Sequence, residues 1–447
     1  MTRNNILTVT TIFAVLSFAA AEAESAGYQL RQQGAAGLGT ALAGSSAGAH
    51  GLSDAYWNPA VYGLQDKAGA ELSLAYIQPV SEAEDATGTT AVGTPIPGAS
   101  EEDDATPGTF VPALYGVLPA GERLRLGLSV NAPFGLQTDY RDDWVGRYHA
   151  RESEVKTISI APVAAFRVNE RLTLAGGPIA QYYDARLTNA VDFGTIARAA
   201  GNMLAVPGGN DGGVELEADD WAFGFTLGAI FEPVAGSRIG VGYRSEIDHD
   251  LDGNADFDLD ATGVGAALQA ATGAFADTGA RADVSTPRIV SLGLSQAITS
   301  RLTLMAEAQW TGWSTFDTLR VRFDNPAQGD DVTDESWDDA WFGAVGARYR
   351  VSDAWTLRAG VAYDESPVPD GTRTPRIPDA DRTWVAIGAG YNPASWLRLD
   401  FGYTHLFMPE ESIDLSVNEP GNTFRGNLEG TTDTSVDVFA IAGTIRF

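Results

Sequence analysis

Acid–base, metal and nucleophilic chemistry each need a particular set of side chains, and this chain offers few of them. There are four histidines, His50, His149, His249 and His405, and no cysteine. Without cysteine there are no disulfides, thiol nucleophiles or Cys-ligated metals. The histidines lack metal-ligand spacing, and no G-x-S-x-G stands at a strand-to-helix turn. His405, in "GYTHLF", shares by parity the face of Tyr403 and Phe407, which suits an interfacial role better than that of a base. Asp248, Asp250, Asp252 and Gly253 fit the D-x-D-x-D-G opening of a calcium loop. The position for its bidentate Glu is Leu259, so calcium is not assigned there. The prediction is no enzyme, no catalytic residue, no metal and no cofactor.

The elements around these residues say more. The chain has 447 residues, 50 of them Gly, with 59 acidic against 29 basic residues and a formal charge of −30. Phosphate binding needs clustered Lys and Arg, so a nucleic-acid partner is excluded. Residues 1–26 combine one Arg, an apolar run from Ile6 to Ala21 and small residues at signal-peptidase spacing, with cleavage after Ala23 or Ala26. After this export signal, no apolar run approaches the roughly 18–20 residues of a membrane helix.

What recurs is alternation. "SWLRLDFGYTHLF" puts Leu397, Leu399, Phe401 and Tyr403 on one face, and "SRLTLMAEAQW" puts Leu302, Leu304, Ala306, Ala308 and Trp310 on one face. Runs of about ten such residues are strands with one apolar face, in a soluble sandwich or a membrane barrel. Connection lengths favour the barrel. Short turns fall near Pro119–Glu122, Asn169–Glu170, Pro233–Ser237, Thr299–Ser300, Ser352–Asp353 and Pro393–Ser395. Long polar connections fall near 85–107, 135–153, 189–216, 252–282, 325–336, 366–380 and 413–432. Six short turns alternating with seven long loops imply a fourteen-stranded antiparallel transmembrane β-barrel over residues 67–447. The acidic residues fall in the loops, "HDLDGNADFDLD" among them, where they read as a solvated surface. Trp310 with Trp313, Tyr391 with Trp396 and Tyr403 with Phe407 read as interfacial aromatics.

Residues 27–66 do not alternate. They are rich in Gly, Ala and Ser, carry few charges, and hold Tyr56 and Trp57 beside the Asn58-Pro59 turn. A disordered tail would be more charged and less aromatic. The segment reads as a plug inside the barrel, with Tyr56 and Trp57 as anchors.

"AGYQLRQQGAAGLGTALAGSSAGAHGLSDAYWNPA" resembles the N-terminal hatch of the FadL family, outer-membrane transporters of long-chain fatty acids and aromatic hydrocarbons. Similar blocks follow at 129–174, 241–257 and 383–407 and at the terminal Phe447, with Asn58-Pro59-Ala60 and Pro133-Phe134-Gly135 the most specific pieces. The resemblance implies a fourteen-stranded barrel in the outer membrane of a Gram-negative bacterium. Its extracellular loops would capture a hydrophobic ligand, which passes to a barrel pocket and leaves sideways into outer-membrane lipid through an inward kink of the third strand, with the hatch responding. The kink would fall at Asn131, Pro133, Phe134 and Gly135. Independently of the resemblance, Pro133 cannot donate to a ladder and Gly135 weakens pairing, so the strand either breaks there or ends at the rim.

"GTIARAAGNMLA" and "GVGAALQAATGAF" read as short apolar helices above the barrel, either a capture site or a lid packed on itself. A fatty-acid carboxylate would want a cation inside. Parity turns Arg244 inward next to Glu246, which would neutralise it in part, and Arg358 and Arg398 inward near short turns, where lumen salt bridges explain them. The expected cargo is long-chain fatty acid, with neutral hydrocarbons the alternative and a general diffusion porin a third class that predicts opposed charge ladders and no plug. Phe447 is the expected contact for the barrel-assembly machinery.

Overall fold

The computed structural model describes residues 26–102, 104–419 and 421–447. The signal segment, apart from Ala26, lies outside the described residues.

The alternating segments form strands long enough to cross a bilayer. Gly69–Thr89, Leu172–Asp192 and Asp211–Phe231 each run 21 residues, against the roughly 9–11 that a tilted span requires. Among the described residues, twenty strand segments make fourteen spans, because six spans are interrupted at 132–134, 245–246, 287–288, 312–317, 335–339 and 408–410. Neighbouring spans pair antiparallel throughout. The last, Asn427–Arg446, returns to the first in a ladder running from Gly69↔Arg446 to Thr89↔Asn427. The sheet closes, leaving no edge to face lipid. Short turns join spans at one rim, in the places that the spacing predicts, and longer connections join them at the other; strand runs into the predicted loops 135–153, 252–282, 325–336 and 413–432, as at Gly135–Asp139, Asp331–Asp334 and Glu411–Leu415.

The strands are apolar on the outside. Leu72, Leu74, Leu114, Leu128, Phe439 and Ile441 are exposed, while their small neighbours Ser73, Ala75, Ala113, Ser129, Ala440 and Ala442 are buried inward. No described helix is long and apolar enough to cross a membrane. The interior holds the N-terminal segment. Of residues 26–63, all but Gly48 and Gly51 are buried. They form a helix at Ala35–Leu38 and 3-10 turns at Leu52–Tyr56 and Pro59–Leu64. Hatch backbone lies directly on the wall: a Cβ at Gly242 would collide with the Trp57 carbonyl, and one at Gly360 with Thr40.

Three expectations are corrected. "HDLDGNADFDLD" is a regular strand, Ile247–Asp258, rather than a loop. Spans outside the bilayer keep their neighbours, and their charges pair across strands, as Arg281 with Asp252 at 3.1 Å and Arg322 with Asp283 at 2.7 Å. Glu246 does not point inward beside Arg244. The interruption at 245–246 shifts parity by one residue, so Arg244, Ile247 and His249 are buried while Glu246 lies 3.6 Å from Arg288. Trp313 is not interfacial. It lies in the 3-10 turn Trp313–Thr315, which breaks the ninth span and turns the ring fully inward.

A charge on the apolar outer face should be expensive. Ile441→Arg is expected to cost about 2–4 kcal/mol of unfolding free energy in lipid vesicles. A loss well under about 1 kcal/mol would show that this face does not meet hydrocarbon.

Candidate functional site

The hatch is held by polar bonds within itself and to the wall. Asn58 caps the Pro59–Leu64 turn, its Oδ1 accepting from the Ala60 amide at 3.0 Å. Its Nδ2 donates to the Ser46 carbonyl at 2.7 Å and to the wall carbonyl of Ala229 at 3.0 Å. One side chain thus ties two hatch segments to the barrel. Tyr56 and Trp57 pack edge-to-face at 4.7 Å. Arg31 and Asp364, both fully buried, pair at 3.1 Å, and the guanidinium also donates to Gln309 and lies 4.7 Å from the Phe342 ring.

The third span breaks at Ala132–Phe134. Its ladder with the second strand, Thr109–Ala120, ends at Ala113↔Asn131. Beyond the break, Gly135–Asp139 pairs with the fourth strand alone. No ladder therefore joins residues 109–112 to the third span. Hatch backbone occupies the inner side of this break. The Leu30 amide donates to the Pro133 carbonyl at 2.8 Å, and the Gly135 amide donates to the Tyr28 carbonyl at 2.9 Å. Phe134 is turned inward and buried, 5.7 Å from the Tyr28 ring and 5.9 Å from Trp313.

Above this contact lies an apolar cavity with an open mouth. Its walls are inward side chains of the third to ninth spans, among them Leu136, Val155, Tyr183, Leu216, Leu251, Val284 and Val321. Phe316 and the hatch residue Tyr28 also line it. Tyr28 sits in an aromatic cage, 4.8 Å from Trp313 and 5.9 Å from Phe316 and Trp337. Two buried charged groups face the cavity, Glu335 and Arg376. Burial pushes the Glu335 carboxyl up to about 7, against the hydrogen bond from Trp337 Nε1 at 3.1 Å and the nearby Arg376 and Arg425.

The remaining sequence candidates fall elsewhere. Arg244 is buried but outside the cavity lining; its guanidinium covers the Tyr56 ring at 4.9 Å and its Nη2 has no hydrogen-bond partner. Arg358 and Arg398 share Asp400, each at 2.7 Å. The loop helices, Phe193–Ala199 and Val264–Thr272, pack on each other, with Phe193 5.1 Å from Phe275. They leave the tip residues Met203, Leu204 and Val206 exposed. Asp248, Asp250 and Asp252 alternate along one outward strand face rather than converging. Among the described residues no His, Asp and Glu group is arranged to hold a metal. The histidines are scattered: His50 lies in the hatch, His149 in a loop, His249 beside Gln181 at 3.0 Å, and His405 outward beside Asp437 at 2.8 Å. Sequence reasoning missed Tyr28, Arg31 and Arg376. The first two lie in the unpatterned hatch, and Arg376 sits in an irregular loop where periodicity carries no signal.

A closed fourteen-span barrel with an apolar exterior, long loops on one rim and a plug inside is an outer-membrane channel protein. Residues 16–447 match the family described as "Outer membrane protein transport protein (OMPP1/FadL/TodX)". The chain belongs to that family, the outer-membrane transporters of hydrophobic compounds in Gram-negative bacteria, which are channels and not enzymes. It is 26% identical over 428 residues to the long-chain fatty acid transport protein of Escherichia coli (strain K12), covering 91% of this chain and 93% of that one. It is 28% identical over 416 residues to outer membrane protein P1 of Haemophilus influenzae, covering 87% of each. The crystal structure of a Pseudomonas aeruginosa FadL homologue superposes with a TM-score of 0.86 at 28% identity, over 94% of this chain and 100% of that one. The toluene transporter TodX of P. putida shares the fold, with a TM-score of 0.66 at 16% identity over 95% of this chain and 99% of that one.

Two outcomes follow from the buried charges. Arg31→Met strands the Asp364 carboxylate and is expected to destabilise the protein by about 3–5 kcal/mol. Its thermal unfolding midpoint should fall, and bilayer conductance should rise if the hatch loosens. Glu335 is neutral below about pH 7 and anionic above it, so an anionic single-chain probe, hexadecyl sulfate, should bind more weakly at pH 8 than at pH 6. Glu335→Gln should remove that difference in equilibrium binding to protein in lipid nanodiscs.

Proposed function

We propose that this protein carries long-chain fatty acids passively across the outer membrane. The ligand is captured at the loop tip of Met203, Leu204 and Val206, enters the apolar cavity, and leaves sideways between the second and third spans at Asn131, Pro133, Phe134 and Gly135. The observation that carries the reading is the position of Tyr28. It lines the cavity, and its carbonyl bonds Gly135 across the break. A ligand that displaces this ring also releases the backbone contact at the gap.

Lateral exit keeps an apolar chain away from water throughout, where an aqueous path would cost about 25 cal/mol per Å² exposed. Hatch residues Tyr56, Trp57, Asn58, Pro59 and Ala60 form the fixed part of the plug, since Asn58 ties it to the wall. Arg244, whose guanidinium covers the ring of this fixed Tyr56, serves as a deeper carboxylate contact. The exposed Phe447 presents the terminus to the barrel-assembly machinery.

The test is uptake by cells lacking their own transporter, comparing labelled palmitate with toluene. Continued past Ala113↔Asn131, the ladder register would set Val111 opposite Pro133. In this cysteine-free chain, Val111→Cys with Pro133→Cys, bridged by a short bismaleimide, should abolish uptake that each single variant retains. Unimpaired uptake through the bridged protein would rule out lateral exit, and toluene taken up in preference to palmitate would make the cargo a neutral hydrocarbon.

A further inference from the structure

The charge of this chain is unevenly spread. Its rim of short turns, which faces the periplasm, opens into two polar pockets beneath the hatch that meet at Leu64. One is lined by Arg123, Arg167 and Arg171 with Glu170 and Glu232, the other by Lys67, Arg238, Arg398 and Arg446 with Asp66. Seven cations thus face three carboxylates, in a chain whose acidic residues outnumber its basic ones by 59 to 29. Local pairing cancels only part of the surplus. Asp66 pairs with Arg167 at 2.8 Å, Glu232 lies 3.8 Å from Arg238, and Arg398 shares Asp400 with Arg358. Among the described residues, no carboxylate lies within ion-pair distance of Lys67, Arg123, Arg171 or Arg446.

The wall behind the pockets adds to the excess. Arg348 stands directly opposite Arg358 in the ladder between Ala340–Arg350 and Trp355–Asp364, and like charges in that position repel. Arg125, Arg238 and Arg348 donate to the hatch carbonyls of Gln65, Gly48 and Ala49. A carbonyl accepts the hydrogen bond without supplying a counter-charge. These guanidinium groups point into the lumen, whereas the outward neighbours at the same rim, Tyr349, Trp355 and Trp396, are exposed aromatics suited to head-group level. Lipid around the barrel therefore meets aromatic rings, and an anion for the arginines must enter from the periplasm.

We propose that this mouth docks an extended acidic segment, a run of Asp and Glu, of a periplasmic protein. Carboxylates spaced along a narrow chain reach the cations of both pockets in turn, and charge-assisted bonds supply the affinity. The flat face of a globular protein does not enter a mouth floored by the hatch. At the opposite rim, strands such as Ile247–Asp258 carry acidic residues that repel the same segment, so docking is one-sided. The inference does not depend on the cargo.

Equilibrium binding of dye-labelled hexaglutamate to the full chain in nanodiscs of zwitterionic lipid tests this. The peptide should bind at low salt and weaken about tenfold or more as sodium chloride rises from about 50 to about 500 mM. Combining Lys67→Gln, Arg123→Gln and Arg171→Gln removes charge from both pockets and breaks no ion pair. That variant should bind the peptide about tenfold or more weakly at an unchanged thermal unfolding midpoint, which shows that it is folded. Arg320→Gln with Arg322→Gln, at the opposite rim, should leave binding as in wild type. Failure of hexaglutamate to bind wild type at low salt, or equal binding by the triple variant, would overturn the assignment. Equal weakening by the opposite-rim variant would overturn it too, by placing the peptide among the loops. Displacement of the peptide by an equal concentration of inorganic phosphate would reduce the mouth to a site for an isolated oxyanion and overturn the peptide reading.

Discussion

A peptide N–H or C=O inside a bilayer has no water to bond, and the rest of this structure depends on that constraint. It forces the ladder between Gly69–Thr89 and Asn427–Arg446, which closes the sheet. Closure at fourteen spans encloses a lumen too wide for inward side chains alone to fill. The chain fills it with its own N-terminal segment, and the wall accommodates that segment with inward glycines such as Gly242 and Gly360, where hatch backbone rests directly on strand backbone.

The same constraint explains how the third span can break. Pro133 has no amide to donate, and the turn around it takes the wall out of register with the second strand. The backbone groups freed there are met by the hatch, through Leu30 to the Pro133 carbonyl and through Gly135 to the Tyr28 carbonyl. A weak point in the wall is thereby coupled to the plug rather than left open. Buried polar side chains hold the rest of the hatch: Arg31 against Asp364, and Asn58 between two hatch segments and the wall. The segment next to the break is fastened by backbone bonds and aromatic contacts, whereas the body of the plug is fastened by ionic and side-chain amide bonds.

On the proposed route these features form one sequence of environments. The loops present a small apolar tip at Met203, Leu204 and Val206, then a polar pocket, then an apolar cavity, then a gap to lipid. The chain keeps its negative charge on the outer reaches of the strands, where it pairs across neighbours and stays soluble. Arg244 is one of several arginines buried in this strongly acidic protein.

The sequence by itself determined the class. Period-two patterning, a short-turn and long-loop rhythm and an unpatterned Gly-rich lead segment specify a plugged barrel of fourteen spans, because each is a local consequence of meeting lipid on one face. Tertiary structure decided which inward residues meet. Parity placed Arg244 correctly but paired it with Glu246, and the two-residue interruption at 245–246 separates them. Trp313 reads as interfacial until the turn at Trp313–Thr315 carries it inside to Tyr28. Arg376 has no local pattern; it gains meaning from the seven spans and the loop that converge on its cavity. Strand patterning encodes inside and outside, whereas a site built from interruptions, loops and a plug depends on contacts between residues far apart in the chain.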